Sequence, residues 1–131
     1  LMKICAEAVH QAGGSVDVVI PSVWLAKEAA QPSFANVTEV FDQAARTRIF
    51  LERGVGFIAL PGSFGTLEEI AALCVGRQYG QHSKPVVAFN VAGYWNNLLA
   101  LTQDMAAEGN CDTGILHMVS DARQAVRCAL G

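Results

Sequence analysis

The chain has 131 residues, of which 52% are hydrophobic and 16% are charged, and its formal net charge is −3. This length allows one domain with its own core, 1–131, but not two. The negative charge argues against nucleic acid as a main partner, and the sequence predicts neither a membrane-spanning segment nor a signal peptide.

The first part of the chain alternates helix and strand patterns. We expect a helix over 1–11 that ends at Gly13-Gly14, because glycine often follows the last turn of a helix. The remaining expected elements are a strand over 15–20 ended by Pro21, a short helix over 23–30, a strand over 36–41, and a helix that Asp42 caps and that runs to Arg53.

The second part continues the alternation. The expected elements are a strand over 55–60, a helix over 66–79, a strand over 84–89, a helix over 93–107, a strand over 115–119, and a last helix to Leu130 capped by Ser120 or Asp121. Strands separated by helices form βαβ units. The sequence therefore predicts an α/β, Rossmann-like three-layer fold: a mainly parallel sheet with helices on both faces.

The four cysteines are scattered without a C-x-x-C pair; they are Cys5, Cys74, Cys111 and Cys128. This distribution predicts free thiols in a cytoplasmic protein rather than a disulfide framework or a zinc site. No metal or other cofactor is expected.

The central motif is the turn between the strand over 55–60 and the helix that follows it. Gly62 and Gly65 can adopt positive φ or allow a ligand to approach the backbone. A strand, a glycine turn and a helix start together aim free N–H groups at an anion, so we expect a phosphate there. The turn is not a P-loop, because no Gly-Lys-Ser/Thr follows it, and it lacks the G-x-G-x-x-G spacing.

Two charged residues are candidates for chemistry. The pattern favours Thr66 as the helix N-cap with Glu69 at the third position of a capping box, although a carboxylate one turn from a phosphate could also stabilise an oxocarbenium ion. Glu68 should face solvent. Arg46 and Arg48 could form a solvated surface, but the apolar neighbours of Arg46 indicate that it needs an anionic partner, for which a phosphate or Glu69 would serve.

Two further segments favour structural roles. The aromatic pair Tyr94-Trp95 is typical of a core or an interface rather than a base-stacking platform. His82 precedes a strand and is predicted to be a structural hydrogen-bonding residue rather than a base.

Several motifs in order resemble the "lonely guy" (LOG) family of cytokinin riboside 5′-monophosphate phosphoribohydrolases, long mislabelled as lysine decarboxylases. The segment 61–69 resembles the family's P-G-G-x-G-T-x-x-E, 78–85 resembles Q-L-G-x-H-x-K-P, and Asn90 with Gly93-Tyr94 resembles N-x-x-G-Y-Y. The resemblance implies hydrolysis of the N-glycosidic bond of an N6-substituted adenosine 5′-monophosphate, which releases the base and ribose 5-phosphate. It also implies a homodimer.

Carried over by position, the resemblance assigns the roles of individual residues. Glu69 matches the catalytic glutamate and Arg46 the catalytic arginine. The phosphate-binding loop corresponds to Gly62, Ser63, Phe64, Gly65 and Thr66.

The chain departs from the family pattern at several positions. Thr47 replaces a lysine, Ser63 a glycine, Gln43-Ala44 a Met-His pair, and Gly76 a tryptophan. The family also has a first strand and a G-G-G-x-x-G-L-M-G turn ahead of the position of Leu1.

Two other functions remain open: a non-catalytic carrier of a nucleotide or of the molybdenum cofactor, and an inactive structural dimer. Lysine decarboxylase activity is rejected, because no lysine lies in a context suited to pyridoxal phosphate.

Overall fold

The structure, a computed structural model, describes residues 1–25 and 30–131. They form two compact units, Leu1–Arg53 and Gly54–Gly131. Within the two described ranges, no helix has both the length and the apolar character needed to cross a membrane. Of the helix expected over 23–30, the structure shows Ser22–Leu25; Ala30 is not helical, and the expectation for 26–29 falls outside the described residues.

The described residues of the N-terminal unit form two parallel strands and three helices. In chain order these are α1 (Met2–Gln11), β1 (Asp17–Pro21), α2 (Ser22–Leu25), β2 (Asn36–Val40) and α3 (Gln43–Arg53). Asp17 lies opposite Asn36, whose side-chain amide donates to the Asp17 carboxylate at 3.0 Å. Ile20 is buried, and α3 packs against both strands.

The ends of two helices in this unit confirm the sequence expectations. The Asp42 carboxylate accepts a hydrogen bond from the Ala45 N–H at 2.8 Å, which satisfies one free donor at the start of α3. Helix α1 ends just before Gly13, whose φ of 82° lies in the left-handed region that glycine tolerates.

The C-terminal unit contains three strands and three α-helices. In chain order these are β3 (Phe57–Ala59), α4 (Phe64–Gln78), β4 (Val86–Phe89), α5 (Asn96–Ala107), β5 (His117–Val119) and α6 (Ala122–Leu130), with a 3₁₀ turn at Val91–Gly93. The strand order is β3-β4-β5, and both pairings are parallel. Asp121 caps α6 as expected, because its carboxylate accepts from the Gln124 N–H at 2.8 Å.

The central strand β4 is covered on both faces. Val86, Val87 and Ala88 are buried, and neighbouring side chains of a strand point to opposite faces. Val87 packs with Ala125 and Ala129 of α6, and α4 also packs against β4. Parallel strands flanked by helices confirm the predicted α/β class and agree with a Rossmann-like three-layer architecture.

Several element boundaries differ from the sequence expectation: Pro21, expected to end the first strand, is the last residue of β1, and β4 and β5 begin at Val86 and His117. Strand β3 begins at Phe57 rather than at Val55, whose side chain is 70% exposed. Between them, Gly56 lies so close to α6 that a Cβ would overlap the Ala129 carbonyl oxygen. The helix expected from Gly93 is interrupted, since Ala92 and Gly93 have φ of 52° and 74°, and α5 begins only at Asn96. Helix α4 begins at Phe64, two residues before the expected Thr66 cap.

Candidate functional site

The glycine turn lies at the carboxyl end of β3, the edge at which parallel sheets bind ligands. The N–H of Leu67 donates to the Ser63 carbonyl at 3.0 Å, which is the first hydrogen bond of α4. The preceding N–H groups of Phe64, Gly65 and Thr66 therefore have no acceptor within the helix. These donors, at the positive end of the helix dipole, are suited to bind an anion.

The two glycines of the turn do not use positive φ, which leaves the second of the two expected roles, close approach to the backbone. Gly62 is required for space, because a Cβ there would overlap the Thr66 hydroxyl. Gly65 differs, since a Cβ built on it would meet no described residue within 4 Å. The surface over Gly65 is therefore open, which is the arrangement expected where a ligand approaches the backbone.

The predicted capping box is wrong. Ser63 is the N-cap, with extended backbone (φ −107°, ψ −156°), and Phe64 and Gly65 already belong to the helix. Thr66 is consequently the third residue of α4 and Glu69 the sixth, too far along the helix to cap it. Capping, which the sequence pattern favoured, does not explain Glu69.

Glu69 shares a helix face with the open glycine. It follows Gly65 by four residues, so the two lie on the same side of α4, about 6 Å apart along the axis. Glu69 is partly buried, whereas the neighbouring Glu68 is exposed, as the sequence predicted. A carboxylate thus lies one helical turn from the candidate anion site.

Arg46 belongs to the N-terminal unit and lies on α3. Its guanidinium carbon is 5.1 Å from the centroid of the Phe50 ring and 5.6 Å from that of Trp24. Aromatic faces attract cations, so these two rings stabilise a charge that is partly withdrawn from water. Arg48, two residues later, is exposed. The i,i+4 spacing of Arg46 and Phe50 is visible in the sequence, but the contribution of Trp24 is not.

The sequence did not single out Tyr94 for a role at the turn. Trp95 is 4% exposed, which confirms the expected core position, but Tyr94 is 54% exposed. The Tyr94 hydroxyl donates to the Gly62 carbonyl at 2.5 Å. The sequence feature that could have indicated a role for Tyr94 was the Gly93-Tyr94 pair, which resembles the family's N-x-x-G-Y-Y motif.

His82 has the structural role that was predicted. Its Nδ1 accepts from the Lys84 N–H at 3.2 Å, and its Nε2 lies 2.9 Å from the Leu73 carbonyl oxygen. The neutral tautomer with its proton on Nε2 satisfies both contacts. A Cβ on Gly76 would lie 3.1 Å from the His82 ring, which explains why a large side chain does not fit at this departure from the family pattern.

The cysteines are all free, as predicted. Burial raises the pKa of the Cys74 thiol to about 11, partly offset by the nearby Arg77 guanidinium. Over the two described ranges, His, Cys, Asp and Glu side chains form no cluster suited to a metal ion. A cavity of about 470 Å³ lies between α5 and the residues before β5. Thr102 and Asp112 are among the residues that line it, and none of the predicted site residues does so.

The described residues define an α/β protein with parallel strands, flanking helices and a βα turn whose helix start is suited to an anion. The family model described as "Possible lysine decarboxylase" matches residues 2–129. The chain belongs to this family, the LOG family.

Curated relatives share its sequence over most of the chain. It is 38% identical over 125 residues to "Probable cytokinin riboside 5′-monophosphate phosphoribohydrolase LOGL9" of Oryza sativa subsp. japonica, covering 95% of this chain and 55% of the relative. It is 38% identical over 109 residues to "Cytokinin riboside 5′-monophosphate phosphoribohydrolase LOG5" of Arabidopsis thaliana, covering 83% and 48%. For LOG4 of Arabidopsis thaliana, with the same enzyme name, the identity is 35% over 122 residues, covering 93% and 57%. The chain therefore spans about half the length of these relatives.

Proposed function

We propose that the protein hydrolyses the N-glycosidic bond of adenosine 5′-monophosphate or of its N6-substituted forms. The products are the free base, a cytokinin in the substituted case, and ribose 5-phosphate. The observation that carries this proposal is the combination on α4 of free N-terminal N–H groups, an open surface over Gly65, and Glu69 one turn further along the same face.

The spacing on α4 suits a nucleotide. A 5′-phosphate and the anomeric carbon of the same nucleotide are separated by one ribose ring. With the phosphate at the helix end, bound by residues 62–66, the ribose extends along the helix toward Glu69. Names of the relatives specify cytokinin riboside 5′-monophosphate as their substrate, which supports this class of ligand.

The proposed chemistry assigns one task to each group. Departure of the base leaves positive charge on the anomeric carbon and ring oxygen, as in glycoside hydrolysis. An ionised Glu69 carboxylate offsets that charge and orients the attacking water. The water oxygen bonds to the anomeric carbon as the carbon–nitrogen bond breaks, and the proton that the water loses ends on the released base. Arg46, the other proposed catalytic residue, binds the phosphate or the ribose through its guanidinium, whose planar donors match oxygen pairs.

The test is release of free base by the full-length protein. AMP, isopentenyl-AMP and adenosine are incubated separately, and the products are separated by liquid chromatography. We expect base from the two monophosphates and little from adenosine, because adenosine lacks the group that the turn binds. A carrier of nucleotides or of the molybdenum cofactor, the alternative function, would release no base.

Glu69→Gln tests the carboxylate, with Glu68→Gln as the matched control. We expect Glu69→Gln to lose about a hundredfold or more in kcat, because the amide lacks the charge that stabilises the transition state. Its Tm should change little, since glutamine has nearly the same shape as glutamate and can still form hydrogen bonds. Glu68→Gln should behave like the parent. Full activity in Glu69→Gln would contradict the catalytic assignment.

We also propose that residues 1–131 belong to a single domain of a cytoplasmic homodimer. The continuous family match over residues 2–129 supports one domain, and four free cysteines suit a reducing compartment. The dimer rests on the family resemblance. Light scattering of the full-length protein would test it, with twice the chain mass as the expected result.

A further inference from the structure

The first carbonyl of the glycine turn is bound by a side chain 32 residues away in the chain. The Tyr94 hydroxyl donates to the Gly62 carbonyl oxygen at 2.5 Å. On its other side, the Gly62 Cα is so close to the Thr66 hydroxyl that no Cβ fits. Gly62 is thus restrained both by Tyr94 and by Thr66.

Tyr94 is itself fixed by the ends of the neighbouring strands. Its ring meets the Trp95 ring edge to face, with centroids 4.9 Å apart and an interplanar angle of 86°. The backbone N–H of Trp95 donates to the Asn90 side-chain oxygen at 2.6 Å, and the backbone N–H of Asn90 donates to the Val119 carbonyl at 2.7 Å. Because Trp95 is buried, this chain of contacts holds Tyr94 in place relative to the carboxyl ends of β4 and β5.

Restraining a carbonyl also restrains the N–H of the same peptide. The peptide unit is planar and trans, so the Gly62 C=O and the Ser63 N–H point in opposite directions. While Tyr94 binds the carbonyl, the Ser63 N–H is directed away from Tyr94. The same contact fixes the backbone just before the free N–H groups of Phe64, Gly65 and Thr66.

We propose that Tyr94 is a positioning residue that sets the conformation of the phosphate-binding turn and thereby the preference for a phosphorylated substrate. This inference rests on the proposed function, since it assumes that the turn binds the 5′-phosphate. Tyr94 acts through the Gly62 carbonyl and takes no part in bond cleavage. Loss of its hydroxyl therefore weakens phosphate binding and leaves the chemical step unchanged.

Tyr94→Phe tests the proposal, with Tyr79→Phe as the control. Tyr79 is the other tyrosine of the chain and is 74% exposed. Dissociation constants for inorganic phosphate and AMP are measured by calorimetry on the full-length protein, together with kcat, KM and Tm. Loss of one ordering hydrogen bond predicts phosphate and AMP affinities about three- to tenfold weaker, with a matching rise in KM.

The other readouts separate positioning from a general effect on folding. In Tyr94→Phe, kcat and Tm should stay near the parent values, because the hydroxyl is exposed and only one contact is removed. Tyr79→Phe should match the parent in every measurement. Unchanged phosphate affinity in Tyr94→Phe overturns the inference, and so does a fall in kcat at constant KM, which would place the hydroxyl in the reaction itself.

Failure of the proposed function gives a different result. If the parent protein binds AMP and releases base, but Tyr94→Phe is indistinguishable from it, only the role of Tyr94 is wrong. If the parent protein binds neither inorganic phosphate nor AMP, the proposed function and this inference are both wrong.

Discussion

Replacing Gly65 by alanine should make the protein more stable and less active. Gly65 is the second residue of α4, its φ is not positive, and an added Cβ meets no described residue within 4 Å. Alanine is better than glycine inside a helix by about 0.5–1 kcal/mol. For a chain of this size, that difference corresponds to a rise in Tm of about 2–5 °C.

The same methyl group should obstruct the phosphate. It would project into the open space over the first turn of α4, where the phosphate oxygens must approach the N–H groups. A hydrogen bond to a charged group contributes about 1.5–3 kcal/mol, so loss of one such contact lowers kcat/KM by about 10- to 100-fold. The assay is base release from AMP, measured alongside thermal unfolding of the same preparation.

Gly109→Ala is the control for stability. Its surroundings are open among the described residues, as at Gly65, but its φ of 74° is unfavourable for alanine. This variant should lose about 1 kcal/mol of folding free energy and keep its kcat/KM at a temperature where it remains folded. If Gly65→Ala gains stability and keeps full activity, no phosphate approaches that backbone, and the reasoning about the turn is refuted.

Three other changes test separate parts of the account. Arg46→Lys keeps the charge but removes the planar guanidinium that lies over two aromatic rings, so kcat/KM should fall at least about tenfold. The control variant Arg48→Lys should have the kcat/KM of the parent protein. Equal activities of the two variants would refute the role of Arg46. Both polar atoms of the Gln43 side-chain amide are shielded from water and have no hydrogen-bond partner among the described residues. Methionine has a similar shape, so Gln43→Met should raise the free energy of unfolding in urea by about 1–3 kcal/mol. A lower free energy of unfolding would indicate that the amide is paired in the full-length protein. Folding raises the pKa of the Cys74 thiol from 9.0 to about 11, so the unfolded chain loses this proton at a lower pH than the folded protein. The stability due to the buried thiol is therefore present below pH 9 and is lost as the pH rises to about 11. Over that range Tm should fall more steeply in the parent protein than in Cys74→Ala, and parallel curves would contradict this.

Local chemistry made the α/β class predictable from the sequence. Buried strands such as Val86–Phe89 are short apolar runs, and aspartates such as Asp42 and Asp121 mark helix starts, because their carboxylates satisfy free N–H groups close by in the chain. These signals depend on neighbouring residues alone. They are therefore visible without the fold.

The errors occurred where more than one local solution was available. Ser63 and Thr66 can both cap a helix, and the Thr-x-x-Glu pattern favoured the second. Helix α4 begins after Ser63, whose side chain makes no capping hydrogen bond, and the side chain of Thr66 packs against Gly62. That choice depends on the conformation of the whole turn, which the short-range pattern does not specify.

Contacts distant in sequence were beyond the reach of pattern reasoning. The hydrogen bond from Tyr94 to Gly62 joins residues 32 positions apart, and Trp24 lies over Arg46 from a separate helix. The family resemblance nevertheless placed Gly62 to Thr66 and Glu69 on the segment whose geometry suits anion binding. Their roles in catalysis remain predictions.

The most direct test is the crystal structure of full-length Glu69→Gln with AMP bound. Phosphate oxygens should lie about 3 Å from the N–H groups of Phe64, Gly65 and Thr66, with the substituted amide side chain beside the anomeric carbon. A phosphate bound elsewhere, with no contact to Gly65, would show that this helix start does not hold the nucleotide.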